Sequence, residues 1–531
     1  MSKALKSFGT TPVAQTEKAN SRQVKNSAGG YVYGVSDVTR LERFLILGTD
    51  GGTYYASEKD ITKQNVDFLI DFAGRDPRTF IKTVVDVSVN NRAAKNSPAI
   101  FALAVAMNTV PADVKAEVRA AVQQVCRTST HLFEFAQYVE NLGGWGRAKK
   151  SAVAEWYQGK DAGALALQAV KYRQRDGWTH RDLLRLSHPA MGPESVPVVN
   201  FMLGKDVQGG PPILEGFRKV QAAKTVDEVI ALVVAYRLPW ETVPTQFLRE
   251  PALWKAFVEN RTIGHTAILR NVRRMEEIGA FKDLKFAKTV ADILSDPEEI
   301  HKGRLHPVAF LNAWGAYDGS LPGRWGYYDG RRPAGTVTPV VTAALEDGFY
   351  ASFANVEPSK ARTMLGMDVS GSMTMGEISG LKNLIPLQAS AAMASVTLRT
   401  EPYVTTMAFS SGFVPLNLSP RDNLGSIIDK MRGLPFSGTD CAVPMLHAAK
   451  NNLEIDHFVI YTDNETWQGN VHADKALRDY RQKSGINAKL TVVGMTATNF
   501  TIADPSDAGM LDVVGFDSAA PRVIADFARV K

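Results

Sequence analysis

Cysteine is nearly absent: the 531 residues hold two, Cys126 and Cys441, far apart and in unrelated contexts. A disulfide framework is therefore excluded, and a reducing cytoplasm is the expected home. Histidine is scarce too, with nine scattered residues, so a structural zinc site is not expected. No apolar run approaches the roughly 18 to 20 residues that span a bilayer, which argues against a membrane protein. The opening residues, Met1 to Thr10, lack an apolar h-region, and no secretory signal is expected. Low-complexity tracts are missing as well. What remains is an ordinary globular balance, 45% hydrophobic and 22% charged, in a chain long enough for two or three domains.

Positive charge is unevenly spread. Residues 361–531 carry 15 Lys and Arg against 17 Asp and Glu, whereas residues 1–360 carry 46 against 38. Any polyanion is expected to meet the basic upstream part.

Two textures divide the chain. From about Arg40 to Phe353, apolar residues recur at three-to-four spacing in segment after segment, which predicts helices with very little strand. Asp60–Gly74, Pro98–Met107, Ala112–Cys126, Leu132–Asn141, Lys149–Tyr157, Gly163–Arg173, Val226–Tyr236, Pro251–Glu259 and Val290–Leu294 are the clearest. Ser97-Pro98 reads as a cap before a first-turn proline, and Thr225-Val-Asp-Glu228 has capping-box spacing. Some 300 residues of helix after helix favour stacked, degenerate repeats over a compact bundle. A Gly/Arg/Pro stretch, Trp325 to Val337, reads as a connection. One more helix is expected over Val341–Phe353. Then short strands, Thr363–Val369, Tyr403–Phe409, His457–Thr462 and Leu490–Met495, alternate with helices over Leu387–Leu398, Leu424–Met431, Ala442–Asn451 and His472–Lys483. That alternation predicts a parallel sheet covered by helices, with a site at the carboxyl ends of its strands.

The first of these strands ends Met364-Leu-Gly-Met-Asp368-Val-Ser370-Gly-Ser372. It delivers three oxygens from one turn. Phe436-Ser-Gly-Thr439-Asp440 offers a further hydroxyl, and the strand from His457 ends in Asp463. Five oxygen-bearing side chains from three loops suit a hard divalent cation such as Mg²⁺. The arrangement resembles the von Willebrand factor A domain and its metal-ion-dependent adhesion site. That resemblance implies that Ser370, Ser372 and Thr439 ligate the metal, that Asp368 and Asp463 act mostly through water, and that an acidic protein ligand takes the open position. Catalysis is not expected. An aspartyl-phosphate phosphatase needs a second acid where Ser370 stands, and neither His447 nor His457 is placed to serve a serine nucleophile.

Longer strings carry a wider resemblance. They are Gly29-Gly-Tyr-Val-Tyr with Arg40 to Tyr55, Val125-Cys-Arg-Thr-Ser-Thr-His-Leu-Phe133, Lys171-Tyr-Arg-Gln-Arg-Asp-Gly-Trp-Thr-His-Arg-Asp-Leu-Leu-Arg-Leu-Ser-His188, Thr462-Asp-Asn-Glu-Thr-Trp467 and Phe500-Thr-Ile-Ala-Asp-Pro505. Almost the whole chain resembles the Ro ribonucleoprotein autoantigen family, in a bacterial form. The fold this implies is an α-helical HEAT-like repeat ring, the TROVE module, followed by an α/β von Willebrand factor A domain. The implied division is a flexible basic tail at 1–28, the ring at 29–355 and the von Willebrand factor A-like domain at 356–531. The resemblance also implies a monomeric cytoplasmic scaffold for RNA quality control and stress response. It would bind noncoding Y RNA outside the ring and single-stranded 3′ ends of misfolded RNA within it. It would work with an exoribonuclease such as polynucleotide phosphorylase.

Charge placement agrees with an RNA surface. Lys171, Arg173, Arg175, His180, Arg181 and Arg185 put six potentially cationic groups into fifteen residues, ahead of a helix start after Trp178-Thr179. A second cluster is Arg127, His131, Arg147, Lys149 and Lys150 beside Trp145 and Trp156, with Trp145 the better placed to stack on bases and Trp156 expected in the core. Arg270, Arg273 and Arg274 form a third, and Lys3, Lys6, Lys18, Arg22 and Lys25 lie in the tail. The competing reading is a protein-interaction adaptor in which the metal site grips an acidic residue and the helices grip protein.

Overall fold

The computed structural model describes residues 12–48, 58–318, 337–353, 356–376, 378, 384–435 and 437–529, with the side chains of 58–62 and 318 left aside. The connection expected at Trp325 to Val337 lies almost wholly outside the described residues, as do Lys3 and Lys6. The chain forms two compact units. One takes the described residues up to 64 together with those from 353 onward; the other takes those between 65 and 352.

The first unit begins with β1 (Gln23–Lys25) and β2 (Tyr31–Gly34), an antiparallel pair, followed by the helix Asp37–Leu47. The flexible tail expected through residue 28 is therefore corrected for its described part. Gln15, Gln23 and Asn26 are buried, because their side chains find hydrogen-bond partners in the C-terminal part of the same unit. The division expected between 28 and 29 also differs from the compact units, since Asp37–Leu47 packs on the C-terminal sheet. Arg43 on that helix explains the docking. Fully buried, it donates to the carbonyls of Thr498 and Phe500 at 2.9 and 2.7 Å and to both Asp512 carboxylate oxygens at 2.7 and 2.9 Å.

The second unit is helical, as the spacing of apolar residues predicts. Val226–Tyr236 and Pro251–Glu259 match the expected bounds, and the others differ by a few residues at their ends, with Val290–Leu294 growing to Leu284–Ser295. The Thr225 capping box is present, with Glu228 N donating to Thr225 Oγ1 and Thr225 N to Glu228 Oε2, both at 3.3 Å. The cap expected at Ser97 is not. The helix Ser97–Thr109 starts one residue earlier, from Asn96, whose side chain is drawn away to the Val125 carbonyl at 2.8 Å. Helices pack on their second neighbours as well as their first: Ser97–Thr109 on Ser129–Asn141, Lys115–Val125 on Arg147–Gln158, and Arg147–Gln158 on His180–Ser187. An early and a late segment of this unit meet, since His306 Nε2 is 3.1 Å from the Arg92 carbonyl across 214 residues of sequence.

One feature of this unit departs from the helical expectation. β3 (Gln174–Arg175) and β4 (Trp178–Thr179) form an antiparallel hairpin. Its two turn residues, Asp176 and Gly177, have φ of 53° and 81°. Two successive left-handed residues make the turn whose twist matches that of the paired strands, and Asp-Gly is its preferred sequence.

In the C-terminal part of the first unit, β5 (Thr363–Asp368), β6 (Val404–Phe409), β7 (Phe413–Val414), β8 (His457–Thr462), β9 (Lys489–Gly494) and β11 (Met510–Val514) build a six-stranded sheet ordered β11-β9-β8-β5-β6-β7. All neighbours are parallel except β7 against β6. β10 (Phe500–Thr501) instead pairs with β2. Every residue of β5 and β8 is buried, as expected for a sheet covered on both faces. From β5 the chain runs outward to β6, then returns to β8 on the other side. The order thus reverses between β5 and β8, where open parallel sheets form a crevice at their carboxyl ends.

Candidate cation site and basic surface

Asp368 is the last residue of β5 and Asp463 follows the last residue of β8, so both carboxylates sit at that reversal point. Ser370 heads the short turn Gly371–Thr374, and its Oγ lies 3.1 Å from Ser372 Oγ. Thr439 is brought in by its carbonyl, which accepts from Trp467 N and Gln468 N at 3.1 and 3.0 Å. Gly438 permits this approach, because a Cβ there would lie 2.2 Å from Gln468 Oε1. Asp368, Ser370, Ser372 and Asp463 are thus brought together, Thr439 lies on a loop tied to the one that follows Asp463, and all five are buried.

Their hydrogen bonds divide the labour. Asp368 Oδ1 accepts from Ser370 N at 2.9 Å and Oδ2 from Thr462 Oγ1 at 2.6 Å. Asp463 Oδ1 accepts from Glu465 N at 3.0 Å, whereas Asp463 Oδ2 and Thr439 Oγ1 are buried with no partner. Burial raises the pKa of both aspartates, and at Asp368 the charge of Asp463 raises it further. Among the described residues no Arg or Lys forms an ion pair with either. Two carboxylates and two hydroxyls brought together, with a third hydroxyl on the adjoining loop, fit a hard divalent ion, and the two orphaned oxygens are ones that such an ion would satisfy. No group of three or more His, Cys, Asp and Glu suited to a metal occurs among the described residues. His457 is buried in the sheet 2.8 Å from Thr491 Oγ1, and His447 stacks on Phe413 at 4.1 Å. Neither has a contact with Ser370 or Ser372.

The basic residues separate into two kinds. Arg175 is exposed on the hairpin, 3.5 Å from Asp176, Arg173 is exposed just before it with its guanidinium over the Phe217 ring, and Arg181 and Arg185 are exposed one turn apart on His180–Ser187. Lys171 is half-buried, 3.4 Å from Glu241, and Lys150 is exposed. His180 differs from the cationic group expected of it. It is buried, 2.9 Å from Tyr157 Oη and edge-on to Phe133, and burial pushes its pKa down to about 4. His131 is likewise held down to about 4 by burial and by Arg127. Both imidazoles are neutral near pH 7 and add no positive charge. Arg127 spends its guanidinium on Ser88, at 3.1 Å from the carbonyl and 2.9 Å from Oγ. Lys149 is buried, donating to the Gly144 carbonyl at 2.6 Å. Trp145 is half-buried and packs edge-on against Trp178 at 5.6 Å; Trp156 is fully buried. Arg273 pairs with Glu277, while Arg270 and Arg274 are exposed. Of the tail residues, Lys18 and Lys25 are exposed, and Arg22 forms a two-pronged pair with Asp504.

Sequence reasoning missed the hairpin, although Asp176-Gly177 between Arg175 and Trp178 signals it. It also missed Thr462, Asn464 and Glu465 around Asp463. Asn464 takes a left-handed φ of 66°, a conformation asparagine tolerates, and its Oδ1 accepts from Ile502 N at 3.1 Å.

A helical repeat unit followed by an α/β domain of von Willebrand factor A type, with hydroxyls and carboxylates at its switch point, sets the class. Family models agree in detail: the TROVE domain matches residues 24–204 and 236–319, and the Ro60 vWA domain matches 362–528. The chain belongs to the Ro60 family. It is 44% identical over 526 residues to "RNA-binding protein RO60" of Deinococcus radiodurans, covering 97% of each chain. It is 33% identical over 599 residues to the Caenorhabditis elegans protein of the same name, covering 97% of this chain and 91% of that one. The crystal structure of the Deinococcus radiodurans RO (RSR) protein superposes with a TM-score of 0.68 at 42% identity, over 93% of this chain and 99% of that one.

Proposed function

We propose that this protein is a noncatalytic RNA-binding scaffold whose helical unit holds noncoding RNA. Relatives named as RNA-binding proteins across 97% of the chain support the reading. The observation that carries it on this molecule is the exposed arginine set Arg173, Arg175, Arg181 and Arg185. Arg181 and Arg185 have no ion-pair partner among the described residues. The guanidinium forks of Arg181 and Arg185, free of carboxylates, are available for phosphate oxygens, and Arg175 stands beside them on the hairpin with only its neighbour Asp176 as an ion-pair partner. The finer reading is a small structured Y RNA on this surface. Single-stranded 3′ ends of misfolded RNA would enter the helical ring, and an exoribonuclease would act on the bound RNA in the cytoplasm. The test is equilibrium binding of a labelled Y RNA from about 50 to 200 mM salt. Changing Arg173, Arg181 and Arg185 together to Glu is expected to weaken binding and to flatten the log–log salt slope by about 2 to 3, one counterion-release unit per lost phosphate contact. An unchanged slope would remove this surface from the interface.

The second element of the proposal is a divalent cation, Mg²⁺ in the cell, held by Ser370, Ser372 and Thr439, with Asp368 and Asp463 supplying charge directly or through water. When bound, it would offer an open coordination position to an acidic side chain of a partner protein. That accords with the hydrogen-bonded oxygens of Asp368 and the unpartnered Thr439 Oγ1 and Asp463 Oδ2.

A further inference from the structure

The segment from Gln15 to Gly30 lies outside the residues matched by the Ro60 vWA model, yet it grips the two loops that carry Thr439 and Asp463. Gln15 is fully buried at the junction of those loops. Its Nε2 donates to Asp440 Oδ1 at 2.7 Å and to the Val471 carbonyl at 2.8 Å, and its Oε1 accepts from Thr466 Oγ1. Its main chain is tied as well, Gln15 N donating to the Gly469 carbonyl at 3.1 Å. Asn26 reaches the same loop from the other side, Nδ2 donating to the carbonyls of Thr466 at 2.7 Å and Asn464 at 3.3 Å. Ala28 N donates to Glu465 Oε2 at 2.9 Å. Gly30 lies so close that a Cβ would stand 1.9 Å from the Thr466 carbonyl. Asp440 adjoins Thr439, and Asn464, Glu465 and Thr466 follow Asp463 directly. Every one of these contacts falls within three residues of a cation ligand, except those to Gly469 and Val471.

Ligand orientation governs affinity in such sites. A hydroxyl that swings away by a fraction of an ångström is lost to a cation that demands near-octahedral geometry. Thr439 Oγ1 and Asp463 Oδ2 are unpartnered, and Asp463 is tied through Oδ1 to the backbone N of Glu465. The loop backbone alone must aim them, and the N-terminal segment holds that backbone.

We propose that the segment 15–30 is part of the cation site. Gln15 and Asn26 act as positioning residues that keep Thr439 and Asp463 in ligating geometry. The site's affinity for a divalent cation is therefore set by residues more than 400 positions upstream of the loops they hold. This rests on the cation reading given above. By linkage, a segment that strengthens cation binding must itself be strengthened by the cation to the same degree.

The full-length protein serves for the test, with Mn²⁺ as the probe read by electron paramagnetic resonance. Gln15→Ala and Asn26→Ala are each expected to weaken Mn²⁺ binding by about 10-fold or more, the usual effect of removing a partner behind a ligand. Arg22→Ala breaks the same segment's pair with Asp504, away from the loops, and is expected to leave Mn²⁺ affinity within about twofold, or roughly 0.4 kcal/mol. Hydrogen exchange on the wild type needs no variant. Saturating Mg²⁺ is expected to slow exchange of the Ala28, Gly30 and Tyr31 amides. If Gln15→Ala and Asn26→Ala melt earlier but hold Mn²⁺ as tightly as the wild type, or if Mg²⁺ leaves those amides unprotected, the segment is only structural and the inference fails. If the wild type takes up no Mn²⁺ at millimolar concentration, the cation reading itself falls and takes this inference with it.

Discussion

Thr462 donates its hydroxyl proton to Asp368 Oδ2 at 2.6 Å, joining the final residue of β8 to that of β5 inside the sheet. The same hydroxyl oxygen accepts from Asn464 N at 3.1 Å, so one threonine fixes a carboxylate and starts the loop that carries Asp463. Thr462→Val keeps the shape and removes both bonds. It is expected to cost about 1 to 3 kcal/mol in chemical denaturation, because two buried groups lose their partner. Mn²⁺ affinity is expected to fall about 10-fold as Asp368 loses its aim. Unaltered affinity would show that Asp368 is oriented without it.

Asp368→Ala separates the two halves of the proposed function. It is expected to abolish Mn²⁺ binding while leaving Y RNA affinity within about threefold, a difference of roughly 0.6 kcal/mol. The arginines invoked for RNA lie in the helical unit and the carboxylates in the other. A larger loss of RNA affinity would mean that the cation site and the RNA surface are energetically coupled.

Two histidines with depressed pKa values make the helical unit sensitive to mild acid. His131 and His180 have pKa values near 4 in the folded chain, below the ordinary value of 6.5. The unfolded chain therefore binds more protons between those limits. The stability they confer is complete above about pH 6.5 and is lost as pH falls toward 4, at up to about 1.4 kcal/mol per pH unit for each group. Denaturant titrations at pH 7 and pH 5 are expected to show this loss, and His180→Gln is expected to reduce the pH dependence. RNA affinity should gain nothing from these rings over the same range.

Arg43 is expected to be the most costly single residue to remove from the first unit. Arg43→Met leaves Asp512, whose side chain is 12% exposed, without its cationic partner, and strips the Thr498 and Phe500 carbonyls of donors. Breaking a buried pair from one side costs about 3 to 5 kcal/mol. Arg43→Met combined with Asp512→Leu is expected to recover part of that loss, since no buried charge is then left unpaired. Equal destabilisation of the single and double variants would show that the carbonyl contacts, not the ion pair, carry the docking.

Much of this architecture is legible in the sequence. Val226–Tyr236 shows its bounds in a capping box and an apolar run, and β8 in six consecutive buried residues. The cation residues were legible because chemistry fixes them locally: Asp368, Ser370 and Ser372 come from one turn, and Asp463 ends a strand. Burial of polar side chains was harder to read. His180 and Lys149 carry the same formal chemistry as Arg181 and Lys150, and only packing decides that the first pair points inward. Gln15 and Asn26 left no trace in the sequence, because their partners lie more than 400 residues away and amide side chains have no spacing rule. Asn96 displaced Ser97 as the cap position for a similar reason, a distant carbonyl at Val125 having claimed its side chain.

The meeting of His306 with the Arg92 carbonyl changes what kind of polymer the helical unit is. An open stack of repeats can lengthen or shorten by one member, since each repeat answers only to its neighbours and the terminal ones need polar caps. A stack whose early and late helices are tied by such a contact lacks that freedom, because one more member between them would pull the two contacting residues apart. Insertions are then confined to the connections between helices, and duplication of a whole repeat would break the contact. Gene-level variation in this unit should accordingly appear as loop length and never as repeat number.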